Sequence, residues 1–111
     1  MNAYEAAYDC LSKLEFPVSP DEYDGSSDTY ITYNYNTDRG EGFADNKPDV
    51  NRVSLYVHFV CPYDRNHLED KKRIRNALHT YGFSYPEVVE ANVKEHNIRH
   101  VIFDTEWIET I

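Results

Sequence analysis

The sequence predicts an α+β fold, a mostly antiparallel four-stranded sheet with two helices packed on one face, in the order α-β-β-α-β-β. It is read as one domain over residues 1–111. Three observations predict this. Val53, Leu55, Val57 and Phe59 alternate with Arg52, Ser54, Tyr56 and His58, the period-two signature of a strand packed on one face. Two other segments repeat apolar residues every three or four positions, as amphipathic helices do. A chain of 111 residues buries roughly two-thirds of its unfolded surface, enough for one hydrophobic core.

The first helix carries Tyr4, Ala7, Leu11 and Leu14 on its apolar stripe, with Glu5, Asp9, Ser12 and Lys13 opposite. Pro17 and Pro20 are expected to stop it, since proline cannot donate to the helix ladder. Ser19 to Ser27 reads as a turn-rich connection. Asp28 to Asn36 reads as a strand, because Tyr30, Ile31, Thr32, Tyr33 and Tyr35 are β-branched or aromatic. Both of its faces carry rings, which leaves one set for a partner to cover. Thr37 to Asp49, with Gly40, Gly42, Pro48 and many charges, reads as a long working loop in which Phe43 is the lone apolar ring.

The clearest strand follows, Arg52 to Cys61, ended by Pro62. Asp64 or Asn66 is placed to cap a second helix running to about Tyr81. Its expected buried stripe is Leu68, Ile74, Ala77, Leu78 and Tyr81, and Gly82 is its stop. The last third reads as a hairpin. Val89, Ala91 and Val93 alternate with Glu90, Asn92 and Lys94 in one arm, His96-Asn97 makes the turn, and Arg99 to Ile108 is the other arm, with Val101, Phe103 and Trp107 on one side. A helix over residues 86–96 is the alternative; the hairpin is preferred because the final arm needs an antiparallel neighbour for its backbone groups.

Charge excludes some functions. Eleven basic against twenty acidic residues give a formal net charge of −9, which repels nucleic acid and anionic membranes. Lys71, Lys72, Arg73 and Arg75 share a helix with Glu69 and Asp70 and read as a solvated face. The opening Met-Asn-Ala-Tyr-Glu lacks a signal peptide's basic and apolar regions, and no apolar run approaches the roughly 20 residues of a membrane span. Synthesis in the cytoplasm is expected. Cys10 and Cys61 lack Cys-x-x-Cys spacing and read as reduced, buried thiols. The ten tyrosines suit surfaces that a partner later covers.

A search for chemistry yields no catalytic, cofactor-binding or metal-binding residues. There is no Gly-x-x-x-x-Gly-Lys-Ser/Thr loop and no Gly-x-Ser-x-Gly elbow. His58, His67, His79, His96 and His100 are scattered, and the Asn97 turn separates His96 from His100. Pro48-Asp49 with Glu69-Asp70-Lys71 mimics a metal-dependent nuclease pattern. That chemistry needs carboxylates on adjacent strands, whereas Glu69 and Lys71 fall in the first turn of a helix, on an expected exposed face. Asp38, Glu41, Asp45 and Asp49 lack calcium-loop spacing and read as solvated charges.

The stretch Asp28-Thr-Tyr-Ile-Thr-Tyr-Asn-Tyr, then Phe43-Ala-Asp-Asn, then Arg52-Val-Ser-Leu-Tyr-Val-His-Phe resembles the core of small tail proteins from phages and prophages of Gram-positive bacteria. Lys71-Lys72-Arg73-Ile74-Arg75, Gly82-Phe83 and Arg99-His100-Val101-Ile102-Phe103 continue the likeness. The family is that of tail-terminator (tail-completion) proteins of long-tailed phages. The resemblance implies a structural, non-enzymatic virion protein of the tail or neck, made in the host cytoplasm. It implies a ring, commonly a hexamer, that caps the tail tube, ends its polymerisation and forms the joint to the head connector or head-closure protein. DNA would pass through its channel without specific binding, and no membrane is involved. Another neck component, or a small interaction module, is the alternative.

A ring needs a heterologous interface that closes on itself. Phe43, Asp45, Asn46, Tyr33 and Tyr35 are the residues expected to form it with a neighbouring subunit or partner.

Overall fold

The computed structural model describes residues 1–110, and its architecture is α+β with two α-helices and one mixed five-stranded sheet. Helix α1 spans Ala3–Leu11, β1 Val18–Pro20, β2 Tyr30–Glu41, β3 Val50–Pro62, α2 Leu68–Tyr81, β4 Glu87–Glu90 and β5 Ile98–Thr110. The sheet order is β1-β2-β3-β5-β4; β1 runs parallel to β2 and every other neighbour is antiparallel.

Helix α1 begins with a capping box: the Asn2 side chain accepts from the Glu5 backbone N–H, and the Glu5 carboxylate accepts from the Asn2 N–H. Two otherwise orphaned donors are satisfied this way. The helix ends before either proline is reached. A 3₁₀ turn, Ser12–Leu14, leads to Glu15 in a left-handed conformation (φ 70°), which turns the chain away. Ala3, Ala6, Ala7, Cys10 and Leu11 face the core; the small alanines let α1 lie close to the sheet, while Tyr4 and Leu14 are only half-buried.

β3 is the central strand, and its alternation holds as expected. Val53, Leu55, Val57 and Phe59 are fully buried. In register with them stand Trp107, Thr105, Phe103 and Val101 of β5, and Tyr35, Tyr33 and Ile31 of β2 lie opposite Leu55, Val57 and Phe59. Together with α1 and with Ile74 and Leu78 of α2, these residues form the core on one face of the sheet. Each fully buried Leu, Ile, Val or Phe contributes about 1.5–3 kcal/mol relative to exposure. The two helices meet where the Cys10 thiol donates to the Ala77 carbonyl (3.4 Å).

Several expectations are corrected. The sheet has five strands, because Val18–Pro20, within a segment read as a connection, adds a short parallel edge strand. Proline is tolerated there, at the end of an edge strand. The expected loop over residues 37–49 is largely strand: β2 continues past a bulge at Asn36 to Glu41 and pairs with β3 as far as Val50. Leu68 is 61% exposed and not part of the buried stripe of α2. His67, not Asp64 or Asn66, precedes the helix, and it makes no side-chain cap bond. Gly82 (φ 129°) does end α2.

The C-terminal hairpin forms, with Asn97 (φ 55°) in its turn, but the first arm faces the other way. Val88, level with Phe103, packs on the core, while Val89 is 60% exposed and Ala91 and Val93 are also exposed. The described molecule is elongated, 53 × 25 × 25 Å.

Candidate interaction surface

The long axis comes from an arm. Beyond Asn36, β2, β3 and β5 continue side by side, closed at the tip by residues 42–49. Neither lateral edge of this arm is paired. β1 covers β2 only at Ile31–Tyr33; β4 and residues 91–93 cover β5 from Ile98 to Asp104, and Ser84 occupies both backbone groups of Glu106, donating its N–H to the carbonyl and accepting the Glu106 N–H on its hydroxyl. The β2 edge at Asp38 and Gly40 and the β5 edge from Ile108 onward are therefore open to a partner strand among the described residues.

The tip is a small hairpin of its own. Ala44 and Lys47 bond each other's backbones, and Asp45 (φ 52°) and Asn46 (φ 65°) both take left-handed conformations between them. Two consecutive positive φ values mark a type I′ turn, which asparagine and aspartate tolerate better than other non-glycine residues. The Asp45-Asn46 pair expected at an interface is thus accounted for by turn chemistry. Pro48 lies against Gly40, within 2.7 Å of where a Cβ would sit, so only glycine fits there. Phe43 projects from this tip and is 66% exposed.

The other two expected interface residues part company. Tyr35 is 42% exposed, its ring stacked on Tyr4 (centroids 4.5 Å apart) at the base of the arm. Tyr33 is 3% exposed and packs edge-on against Tyr4 within the core, so it offers nothing to a partner in this chain. Burial lifts the phenol pKa of Tyr33 and Tyr35.

An ion-pair ladder crosses the arm on the open side of the sheet. Arg52 donates to Glu41 (2.8 Å) on β2 and to Glu106 (3.1 Å) on β5, and Arg39 reaches Glu41 at 3.3 Å. The hydrogen bond from Arg52 holds the Glu41 carboxyl below its usual range. All these groups are solvated, so the ladder aligns strands more than it stabilises them.

Further along the open face, His58 and His100 meet. His58 Nδ1 lies 2.8 Å from His100 Nε2, and His58 Nε2 lies 2.5 Å from the Asn34 amide oxygen. With Asn34 accepting, His58 carries its proton on Nε2 and accepts from His100 on Nδ1, which makes the His58 ring neutral. Burial lowers both pKa values, and the neighbouring His100 lowers that of His58 further. Sequence reasoning missed this pair. The signal was strand parity: residues 53, 55, 57 on β3 and 101, 103 on β5 face inward, so 58 and 100 must share the outer face.

A second cluster also escaped the sequence. Glu90, on β4, accepts from Arg99 (2.9 Å) and Asn92, with Lys71 at 3.7 Å and His67 at 3.5 Å. Burial raises the Glu90 pKa, but the bonds from Asn92 and Arg99 outweigh it and the net shift is downward. His67 Nε2 is buried and not aligned to complete a hydrogen bond. Lys71 is therefore half-buried, not freely exposed as expected, whereas Glu69 is exposed.

The nuclease-like residues do not converge. Asp49 precedes β3 and Glu69 follows its far end, so a strand of 13 residues, roughly 40 Å, lies between them. Asp49 instead donates its backbone N–H to the Glu41 and Gly42 carbonyls of the tip. His96 lies in a 3₁₀ turn while His100 is engaged with His58. Among the described residues, no three His, Cys, Asp or Glu side chains are placed to hold a metal ion, and no helix is long and apolar enough to cross a membrane.

No protein-family model matches the sequence, and no curated protein matches it.

Proposed function

We propose that this chain is a structural, non-enzymatic joint protein of a phage tail or neck, of the tail-terminator kind, working as a ring of identical copies. The single observation that carries the reading is the projecting arm with two unpaired lateral edges and an exposed phenylalanine at its tip. Different edges on the two sides of one molecule are the material of a heterologous contact, which forms a ring where the rotation between copies closes. The sequence resemblance to tail terminators supplies the biological setting: a cap on the tail tube, facing a head connector. The acidic balance of −9 suits a channel through which DNA slides without holding phosphates.

The test is light scattering of the purified protein, alone and mixed with the tail-tube protein of the same phage or prophage. A closed oligomer, or a complex that halts tube elongation, is the expected result. A protein that remains monomeric and leaves elongation unchanged refutes the reading.

A further inference from the structure

We propose that copies of this chain join arm to arm, the free edge of β2 in one copy pairing in parallel with the free edge of β5 in the next. This deepens the ring reading and rests on it for closure of the assembly.

Both edges have backbone groups aimed outward at known positions. The Ala91 N–H bonds the His100 carbonyl and the Ser84 N–H bonds the Glu106 carbonyl, so even-numbered residues of β5 point away from β3. Ile108 is the next of these and has no strand beside it. On β2, Ile31 and Tyr33 bond outward to Pro17 and Asp21, and the bulge at Asn36 shifts that parity, so Asp38 and Gly40 face outward in the arm. Ser84 already bonds both backbone groups of Glu106, so the free part of the β5 edge begins at Ile108, at the height of Asp38 and Gly40 on β2, since Arg39, Arg52 and Ile108 stand level across the three strands.

Direction and charge select the pairing. β2 and β5 are both antiparallel to β3, so they run the same way, and a rotation about an axis along the strands sets β5 of one copy beside β2 of its neighbour in parallel. Pairing β5 with itself would be antiparallel and would bring no new carboxylate to Arg39. Pairing β5 with β2 instead places Glu106 near Arg39, a cation whose side chain is 67% exposed and, among the described residues, paired with Glu41. In such an assembly every arm points the same way, and the Phe43 tips gather on one end of the ring.

Cysteine cross-linking tests this directly. Thr37→Cys and Ile108→Cys put thiols on the same sheet face at the two edges, while native Cys10 and Cys61 are buried. A short bismaleimide should link the double variant into a ladder of dimers, trimers and higher species, and neither single variant should form linked species. Dimers from a single variant would mean two-fold antiparallel pairing and overturn the proposal. Ile108→Pro removes one outward N–H without touching the bonds to β3, and should abolish the oligomer while leaving the melting temperature within a few degrees of wild type. A wild-type oligomer that gives no ladder and survives Ile108→Pro overturns the edge pairing and leaves the ring reading standing. A wild type that is monomeric at every concentration overturns both.

Discussion

Phe59 and Phe43 are the same residue in opposite environments, and truncating each to alanine separates core from surface. Phe59 is fully buried on β3, with Ile31 and Val101 beside it on neighbouring strands and the Phe16 ring edge-on at 5.1 Å. Phe59→Ala removes a closely packed ring and leaves a cavity that the surrounding strands cannot collapse, at a cost of about 3–5 kcal/mol. At roughly 4 °C per kcal/mol, the melting temperature should fall by about 12–20 °C. A domain of this size has on the order of 6–16 kcal/mol in all, so Phe59→Ala consumes much of it. Phe43 is 66% exposed, which leaves about 50–85 Å² of its ring covered, against Pro48 and Gly40. At about 25 cal/mol per Å², Phe43→Ala should cost about 1–2 kcal/mol in the monomer. Urea denaturation followed by tryptophan fluorescence, on both variants and wild type, measures the difference. Equal losses, or a Phe59→Ala protein of near-native stability, would refute the assignment of Phe59 to the core and of Phe43 to the surface. Phe43→Ala should still weaken oligomer or tail binding if its ring meets a partner.

The buried His58–His100 pair makes stability depend on pH. Both pKa values are lowered in the folded state, so the unfolded chain binds more protons; stability is full above about pH 6.5 and declines as pH falls through that value towards the folded pKa values. The urea midpoint should drop between about pH 7.5 and 5.5, and less so in His100→Gln; a midpoint that rises on acidification contradicts the buried pair. At the arm tip, Asn46→Gly should leave stability within about 0.5 kcal/mol of wild type, whereas Asn46→Val should lose about 1–2 kcal/mol, because a β-branched residue resists the left-handed conformation. Equal melting temperatures for the two would argue against the type I′ turn. Burial pushes the Cys10 thiol pKa up to about 11, so it should resist thiol reagents in the native protein and react only on unfolding. Rapid labelling of the folded chain would show that this face of α1 is not packed against the core.

What could be read from the sequence follows from how local the cause is. β3 was legible because four alternating apolar residues report one buried face without reference to any other strand. The extension of β2 was not, since Asp38 and Gly40 are poor strand formers; pairing with residues 50–54 of β3 and the Asp45-Asn46 turn hold them in the sheet. β1 has three residues, one a proline, too few for any periodic signal. In and after β4, the apolar residues 89, 91 and 93 mimic an inward face, but the register with Phe103 turns Val88 inward instead. Tyr33 and Tyr35 look alike in sequence, and only the tertiary position of Tyr4 and α1 decides that one ring is sealed and the other half-open. The His58–His100 contact depends on a cross-strand register that no single segment encodes.

Because β2, β3 and β5 run from the packed body into the arm, the arm behaves as a rod and not as a hinged flap. A rod transmits angle. Over an arm of about 20–25 Å, a tilt of about 5° in the body moves the tip by about 2 Å, a large error for a side chain that must meet a fixed partner. The Asn36 bulge is the one place where β2 bends relative to β3, and it sits at the root of this lever. Substitutions near that root, at Ser54, Leu55 or Thr105, are therefore levers on the aim of Phe43, a residue they do not touch.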